Sequence, residues 1–142
     1  MSGKLTLRVI TPDRIVLDTQ ADAVSVPAVD GSMGFRPRHA HLVAALDLGV
    51  LTWREDGKER RLFVSGGFVE VKEDTVRVVS EAGERPAEID VQRAKEAEQR
   101  ARELLEREAA SSAASGGVDI VRAEAALRRA ILRLRTASLG EG

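Results

Sequence analysis

Cysteine is absent from this 142-residue chain, which removes disulfide frameworks, thiol nucleophiles and thiolate metal sites together. Aromatic residues are scarce at 3%, with no tyrosine, while hydrophobic residues reach 43%, so the core has to be built from Val, Leu, Ile and Ala. Neither sign of charge prevails. Against 23 Asp and Glu stand 22 Lys and Arg, a formal net charge of -1, which excludes a generic polyanion binder and leaves nucleic acid without an electrostatic foothold. No stretch of about 18 apolar residues occurs and no apolar run follows a basic start, so neither a spanning helix nor a signal peptide is expected. The chain reads as soluble and cytosolic, with no direct membrane insertion. Its length suits one ordinary domain, or a small domain with an appendage, and excludes most large enzyme folds.

What is present changes character along the chain. Phe35, Trp53, Phe63 and Phe68, both histidines and all four prolines lie before residue 87, and most of the valine does too. Beyond it Ala, Glu, Arg and Leu dominate, the shift expected between a strand-rich module and a helical one. The predicted domains are therefore 1–86 and 87–142. In the first, Leu5, Leu7 and Val9 alternate with Thr6, Arg8 and Ile10 before Thr11-Pro12-Asp13 breaks the run. Short pieces follow at Ile15 to Leu17, Ala23 to Pro27, Ser32 to Phe35, Leu42 to Leu46 and Val50 to Trp53, with a turn expected over Asp47 to Gly49. Asp56-Gly57 is the strongest hairpin signal, Gly66-Gly67 interrupts the next run, and Phe68 to Val71 pairs with Thr75 to Val79. Such spacing predicts an antiparallel β-sandwich or flattened barrel.

The second region predicts a two-helix antiparallel hairpin. Val91, Ala94, Ala97, Ala101, Leu104 and Glu108 recur at steps of three and four, as do Ile120, Ala123, Leu127, Ala130, Leu134 and Ala137. Ser111 to Gly117 is a poor helix former and reads as the linker. From Glu88 to Glu108 there are seven acids and five bases, and from Asp119 to Leu139 two acids and five bases. An acidic helix thus faces a basic one. Mutual attraction and solvated faces account for part of this. A seam of alanines also buries little, on the order of one methyl group each at roughly 0.8 kcal/mol, so the basic helix is able to leave its neighbour.

Chemistry-bearing clusters are few. His39-Ala40-His41 has no third metal ligand at a recognisable spacing, and a structural or interface role outweighs zinc. Ser65 beside Gly66-Gly67 lies in a strand pattern, without the strand-to-helix elbow or the base that a nucleophile needs. No phosphate-loop or dinucleotide fingerprint occurs. No catalytic constellation survives, so the chain is read as non-catalytic. Asp90 suits an N-cap whose carboxylate takes a free backbone N–H. A functional alternative has Arg93 and Arg100, seven apart on one helix, converging with Arg122, Arg129 and Arg133 of the other on a phosphate group.

Val9-Ile10-Thr11-Pro12-Asp13-Arg14, Asp30-Gly31-Ser32-Met33-Gly34 with Pro37-Arg38-His39-Ala40, Leu48-Gly49-Val50-Leu51 and Val64-Ser65-Gly66-Gly67-Phe68-Val69-Glu70-Val71, followed by the two-helix tail, resemble the epsilon subunits of bacterial F-type ATP synthases over nearly the whole chain. The resemblance implies a β-sandwich of about ten strands with a helical hairpin. It implies a non-catalytic rotor subunit that binds gamma, sits on the c ring and lies peripherally at the cytoplasmic face of the bacterial plasma membrane. The family's c-ring contact would fall on Ser32, Arg38, His39 and His41, where only His39 keeps the family's residue type. The nucleotide motif I-D-x-x-R-A is matched by Ile89, Asp90, Arg93 and Ala94, with Glu84, Arg100, Arg122, Arg129 and Arg133 at supporting positions, which implies ATP as a regulatory ligand. An extended hairpin would present Arg122, Arg128, Arg129, Arg133 and Arg135 to the acidic C-terminal segment of the beta subunits, with alpha alongside, and inhibit ATP hydrolysis. A free-standing ATP sensor and a coiled-coil interaction module are the rival readings.

Overall fold

A computed structural model describes residues 3–110 and 117–141. Eight strands come first: β1 (Leu5–Ile10), β2 (Ile15–Ala21), β3 (Ala23–Ala28), β4 (Gly31–Phe35), β5 (Leu42–Glu55), β6 (Lys58–Lys72), β7 (Thr75–Val79) and β8 (Gly83–Glu84). A short 3-10 turn, Pro86–Glu88, leads into α1 (Val91–Ala110), and α2 (Gly117–Leu139) completes the chain. The expected linker over 111–116 lies outside the described residues, and Gly117 already opens α2. Among the described residues no helix is long and apolar enough to cross a membrane.

The strands form one folded sheet in the order β2-β1-β7-β6-β5-β3-β4, with β8 added to β6. Two expectations need correction. The sheet is mixed, because β1 and β7 run parallel from Thr6 beside Thr75 to Ile10 beside Val79. There are also eight strands among the described residues, since the two breaks expected at Asp47 to Gly49 and at Gly66-Gly67 lie inside the single long strands β5 and β6. Their ladder keeps one register from Leu42 opposite Val71 to Glu55 opposite Lys58, and lapses only between the Leu46–Gly67 and Leu48–Ser65 pairs.

The breaks face each other across the ladder and mark a corner where the hairpin passes from one layer to the other. The inward positions change parity there. On β5, Leu46 is buried before the corner and Leu51 and Trp53 after it; on β6, Leu62 and Val64 give way to Val69 and Val71. Gly67 sits at the bend with a φ of 106°, and a Cβ there would collide with the Val79 carbonyl. The tip of the hairpin is the Asp56-Gly57 turn, with left-handed φ at both residues, 51° and 78°. Leu5, Leu7, Val9, Leu51, Leu62 and Val76 are wholly shielded between the layers.

The hairpin lies against this sandwich through α2, which packs on β5, β6 and the 3-10 turn, while α1 packs chiefly on α2. Ala94 and Ala101 of α1 and Ala123 and Ala130 of α2 are buried, as the stripe predicts. Phe63 is also fully shielded, yet it stands between the inward-facing Leu62 and Val64 and outside the core cluster. The guanidinium of Arg133 lies 4.8 Å above its ring, so Phe63 is covered from the hairpin side.

Candidate functional site

The site begins where the chain leaves the sheet. Gly83 and Glu84 pair with Val64 and Phe63, and Pro86 then opens the 3-10 turn. The Arg85 backbone N–H donates to Glu88 Oε1 at 2.9 Å, and Arg14 Nη2 donates to Glu88 Oε2 at 3.0 Å. The Arg85 N–H, outweighing partial burial, and then Arg14 hold the Glu88 carboxyl below the ordinary glutamate range. Asp90 Oδ1 accepts the Arg93 backbone N–H at 3.0 Å, so Asp90 is the N-cap of α1 and places Arg93 on its first turn. Ile89 is buried between these two devices and does not reach the cleft.

Beyond this cap lies a cleft of about 590 Å3 between the two helices and the sandwich, within the range of roughly 300–1,000 Å3 usual for small-molecule sites. Arg93 and Arg100 reach it from α1, Arg129 and Arg133 from α2, and Arg14 from the turn between β1 and β2. The acids on its walls are Glu84, Glu88 and Asp90, so cations outnumber anions there. Arg133 is bidentate to Glu84 at 2.9 and 3.1 Å. Glu88 holds Arg14, and Asp90 is committed to the helix N-terminus. Among the described residues Arg93, Arg100 and Arg129 form no ion pair, which leaves three guanidinium groups facing one cavity. Such a set suits an oligophosphate, whose planar acceptor pairs match the guanidinium fork. Ala94, Ala97, Ala126 and Ala130 floor the cleft and leave room for an apolar or aromatic moiety beside the charges.

Of the residues named from sequence, Glu84, Asp90, Arg93, Ala94, Arg100, Arg129 and Arg133 thus come together. Arg122 does not. It is exposed two helical turns, or about 10 Å, before Arg129. Arg14 and Glu88 join them without a local signal in the sequence, and Arg14 arrives from a turn at least seventy residues away from the rest.

The remaining arginines of α2 divide. Arg128 makes a bidentate pair with Asp47, at 2.8 and 3.1 Å, and this hydrogen bonding holds the Asp47 carboxyl below its ordinary value. Asp47 occupies the β5 corner, so the same irregularity that bends the sheet presents the carboxylate that holds the helix. Arg135 is exposed. At the end of α2 the Arg61 guanidinium donates to the Leu139 and Gly140 carbonyls at 3.0 and 2.9 Å, and Glu141 accepts the Ala87 backbone N–H at 3.1 Å.

The other predicted contact region is solvent-facing. The Ser32 and Ser25 hydroxyls lie 3.0 Å apart across β3 and β4. Arg38 has a φ of 66° and donates its backbone N–H to Asp74 at 2.6 Å, which ties this loop to the β6–β7 turn. The His39 ring meets Phe35 edge-on at 5.1 Å, whereas His41 Nε2 lies 3.8 Å from Glu70. Among the described residues no group of three His, Asp or Glu side chains is placed to hold a metal ion. Ser65 sits inside β6 with its backbone N–H donated to the Ser80 hydroxyl, at 3.0 Å.

Residues 4–86 match the family model described as the ATP synthase delta/epsilon chain β-sandwich domain, and residues 87–138 the long α-helix domain of the same chain. An ATP synthase epsilon chain from Symbiobacterium thermophilum is 50% identical over 134 residues, covering 94% of this chain and 92% of the relative. One from Moorella thermoacetica is 44% identical over 137 residues, covering 95% and 97%. Among solved structures, a chain of the Euglena gracilis mitochondrial ATP synthase, an OSCP/F1/c-ring assembly, superposes with a TM-score of 0.77 at 23% identity, over 98% of this chain and 83% of that one. A chain from the central stalk and c ring of the Tetrahymena thermophila enzyme gives 0.59 at 13% identity, over 96% and 98%.

Proposed function

The chain belongs to the ATP synthase delta/epsilon family as an epsilon subunit, which is non-catalytic, and from that premise we propose that its hairpin is a nucleotide-responsive brake on a rotor built around its sandwich. The sandwich joins the gamma subunit to the c ring at the cytoplasmic face of the membrane, with the loop bearing Arg38, His39 and His41, and Ser32 beside it, toward the ring. Chemistry takes place on other subunits. In the stowed form described above the cleft binds ATP. The phosphates lie among Arg93, Arg100, Arg129 and Arg133, and the adenosine lies along the alanine floor.

The observation that carries this reading is the convergence, from two helices, of three arginines without acidic partners among the described residues on one cleft beside the capped start of α1. Because the cleft exists only while the helices are folded together, ATP binds the stowed form in preference to any extended one and shifts the population toward it. Extension exposes Arg122, Arg128, Arg129, Arg133 and Arg135 to acidic segments of the beta subunits and blocks rotation. Arg129 and Arg133 belong to both sets, so nucleotide and beta compete for the same side chains.

Two measurements test this. Calorimetric titration of the full chain with ATP gives saturable binding that is lost in Arg93→Ala; no binding, or equal binding by the variant, removes the sensor. In the assembled complex, a chain ending at Pro86 raises ATP hydrolysis while assembly is kept. An unchanged rate removes the brake.

A further inference from the structure

We propose that Arg14 is a nucleotide-binding residue of the cleft, the one through which a bound triphosphate takes hold of the sandwich as well as of both helices. The proposal rests on the nucleotide reading of the cleft and adds to it a coupling between ligand and sandwich.

Five arginines line the cleft, and Arg14 alone among them belongs to the sandwich. Its position is set by a closed turn. Both the backbone N–H and the hydroxyl of Thr11 donate to the Arg14 carbonyl, at 2.9 and 3.2 Å, which fixes the backbone from which the side chain reaches the cleft. The guanidinium is held there by a single hydrogen bond to Glu88, and the pair is open to solvent, with side chains 52% and 38% exposed. An exposed pair of this kind contributes little, and a triphosphate offers more charge and several acceptor pairs for the fork. Exchange of partner is therefore favourable. Glu88 is not orphaned by it, because its other oxygen keeps the Arg85 backbone N–H. Glu84, the other charged sandwich residue at the cleft, is occupied by both donors of Arg133.

The consequence is mechanical. A ligand held only by Arg93, Arg100, Arg129 and Arg133 would join α1 to α2 and travel with the hairpin. A ligand also held by Arg14 joins the hairpin to the sandwich, so occupancy opposes lifting of α2 and not merely parting of the helices.

The test is ATP titration of the full chain by calorimetry, with Arg14→Ala, Arg14→Lys and Glu88→Gln beside the wild type. Loss of a charge-assisted contact weakens ATP binding about tenfold in Arg14→Ala, with a smaller loss in Arg14→Lys, which keeps the charge. Glu88→Gln releases the guanidinium and binds ATP as tightly as the wild type or more so. If Arg14 serves only to hold Glu88, then Glu88→Gln weakens binding as much as Arg14→Ala does, and the proposal is overturned. Wild-type affinity in Arg14→Ala overturns it too, leaving the nucleotide reading intact, whereas absence of ATP binding by the wild type overturns both. Thermal unfolding without nucleotide, unchanged in Arg14→Lys, shows that any difference arises at the cleft.

Discussion

Between the sheet layers Leu5, Leu7, Val9, Leu51, Leu62, Val69 and Val71 are wholly shielded, whereas among the described residues the buried apolar side chains of the two helices are the alanines 94, 101, 123 and 130. Burial of a Leu or Val contributes about 1.5–3 kcal/mol, and an alanine methyl about 0.8 kcal/mol, so the two regions differ several-fold in cohesion per residue. The hairpin offsets this with polar contacts to the sandwich and the 3-10 turn: Arg128 with Asp47, Arg133 with Glu84, Arg61 with the Leu139 and Gly140 carbonyls, and Glu141 with Ala87. Apolar burial has no alternative partner outside the fold. An arginine does, in any carboxylate or phosphate that comes near, and an attachment made of such contacts is released by exchange of partners and not by unfolding.

Substitutions that push each region toward the character of the other test this contrast. Leu62→Ala leaves a cavity between the layers and lowers stability by about 2–5 kcal/mol, read from urea unfolding followed by the fluorescence of Trp53. A loss no larger than that of a hairpin substitution would erase the contrast. Ala101→Leu overfills the seam and weakens the hairpin by about 1–3 kcal/mol; amide exchange rises in α1 and α2 while the protection of β1 and β7 stays as it was. Equal loosening of strands and helices would mean that the two regions unfold as one.

The smallest effect is that of Asp47→Asn, at most about 1 kcal/mol because the pair is largely exposed and screened by salt. Its sign with pH follows from the lowered Asp47 value. The carboxylate contributes to holding α2 at pH above the ordinary aspartate range, about 3.9, and the contribution disappears as pH falls through its lower folded value. Amide protection of α2 therefore declines in acid in the wild type, and less so in Asp47→Asn, where Glu88, in the 3-10 turn against which α2 packs, still carries a lowered value. Identical acid profiles would remove Asp47 from the attachment.

Much of this was legible locally. Alternation in β1, the Asp56-Gly57 turn and the three-and-four stripe of the helices depend on neighbours a few residues away, and each appears where expected. Arg93, Arg100, Arg129 and Arg133 were readable for the same reason, since residues seven or four apart share a helical face whatever the helix packs on. At the corner the sequence signal at Asp47 to Gly49 predicts a chain reversal where the structure has a bend inside one strand, because glycine and aspartate mark a bend and a reversal alike. Only the ladder shows that the two breaks lie opposite one another. The parallel pairing of β1 with β7 leaves no mark in the sequence, because inward and outward alternation is the same for either direction of a neighbouring strand.

What the sequence determined by itself is therefore what short-range periodicity and turn chemistry control: a strand-rich region, a helical hairpin with an alanine seam, and the separation of acidic from basic helix. The tertiary structure decided which of these surfaces meet. It set Phe63 beneath Arg133, joined Asp47 at a sheet corner to Arg128, and carried Arg14 across the fold to a cleft otherwise made by the hairpin and its entry. Contacts of that kind depend on the path of the whole chain, and no run of neighbouring residues encodes them.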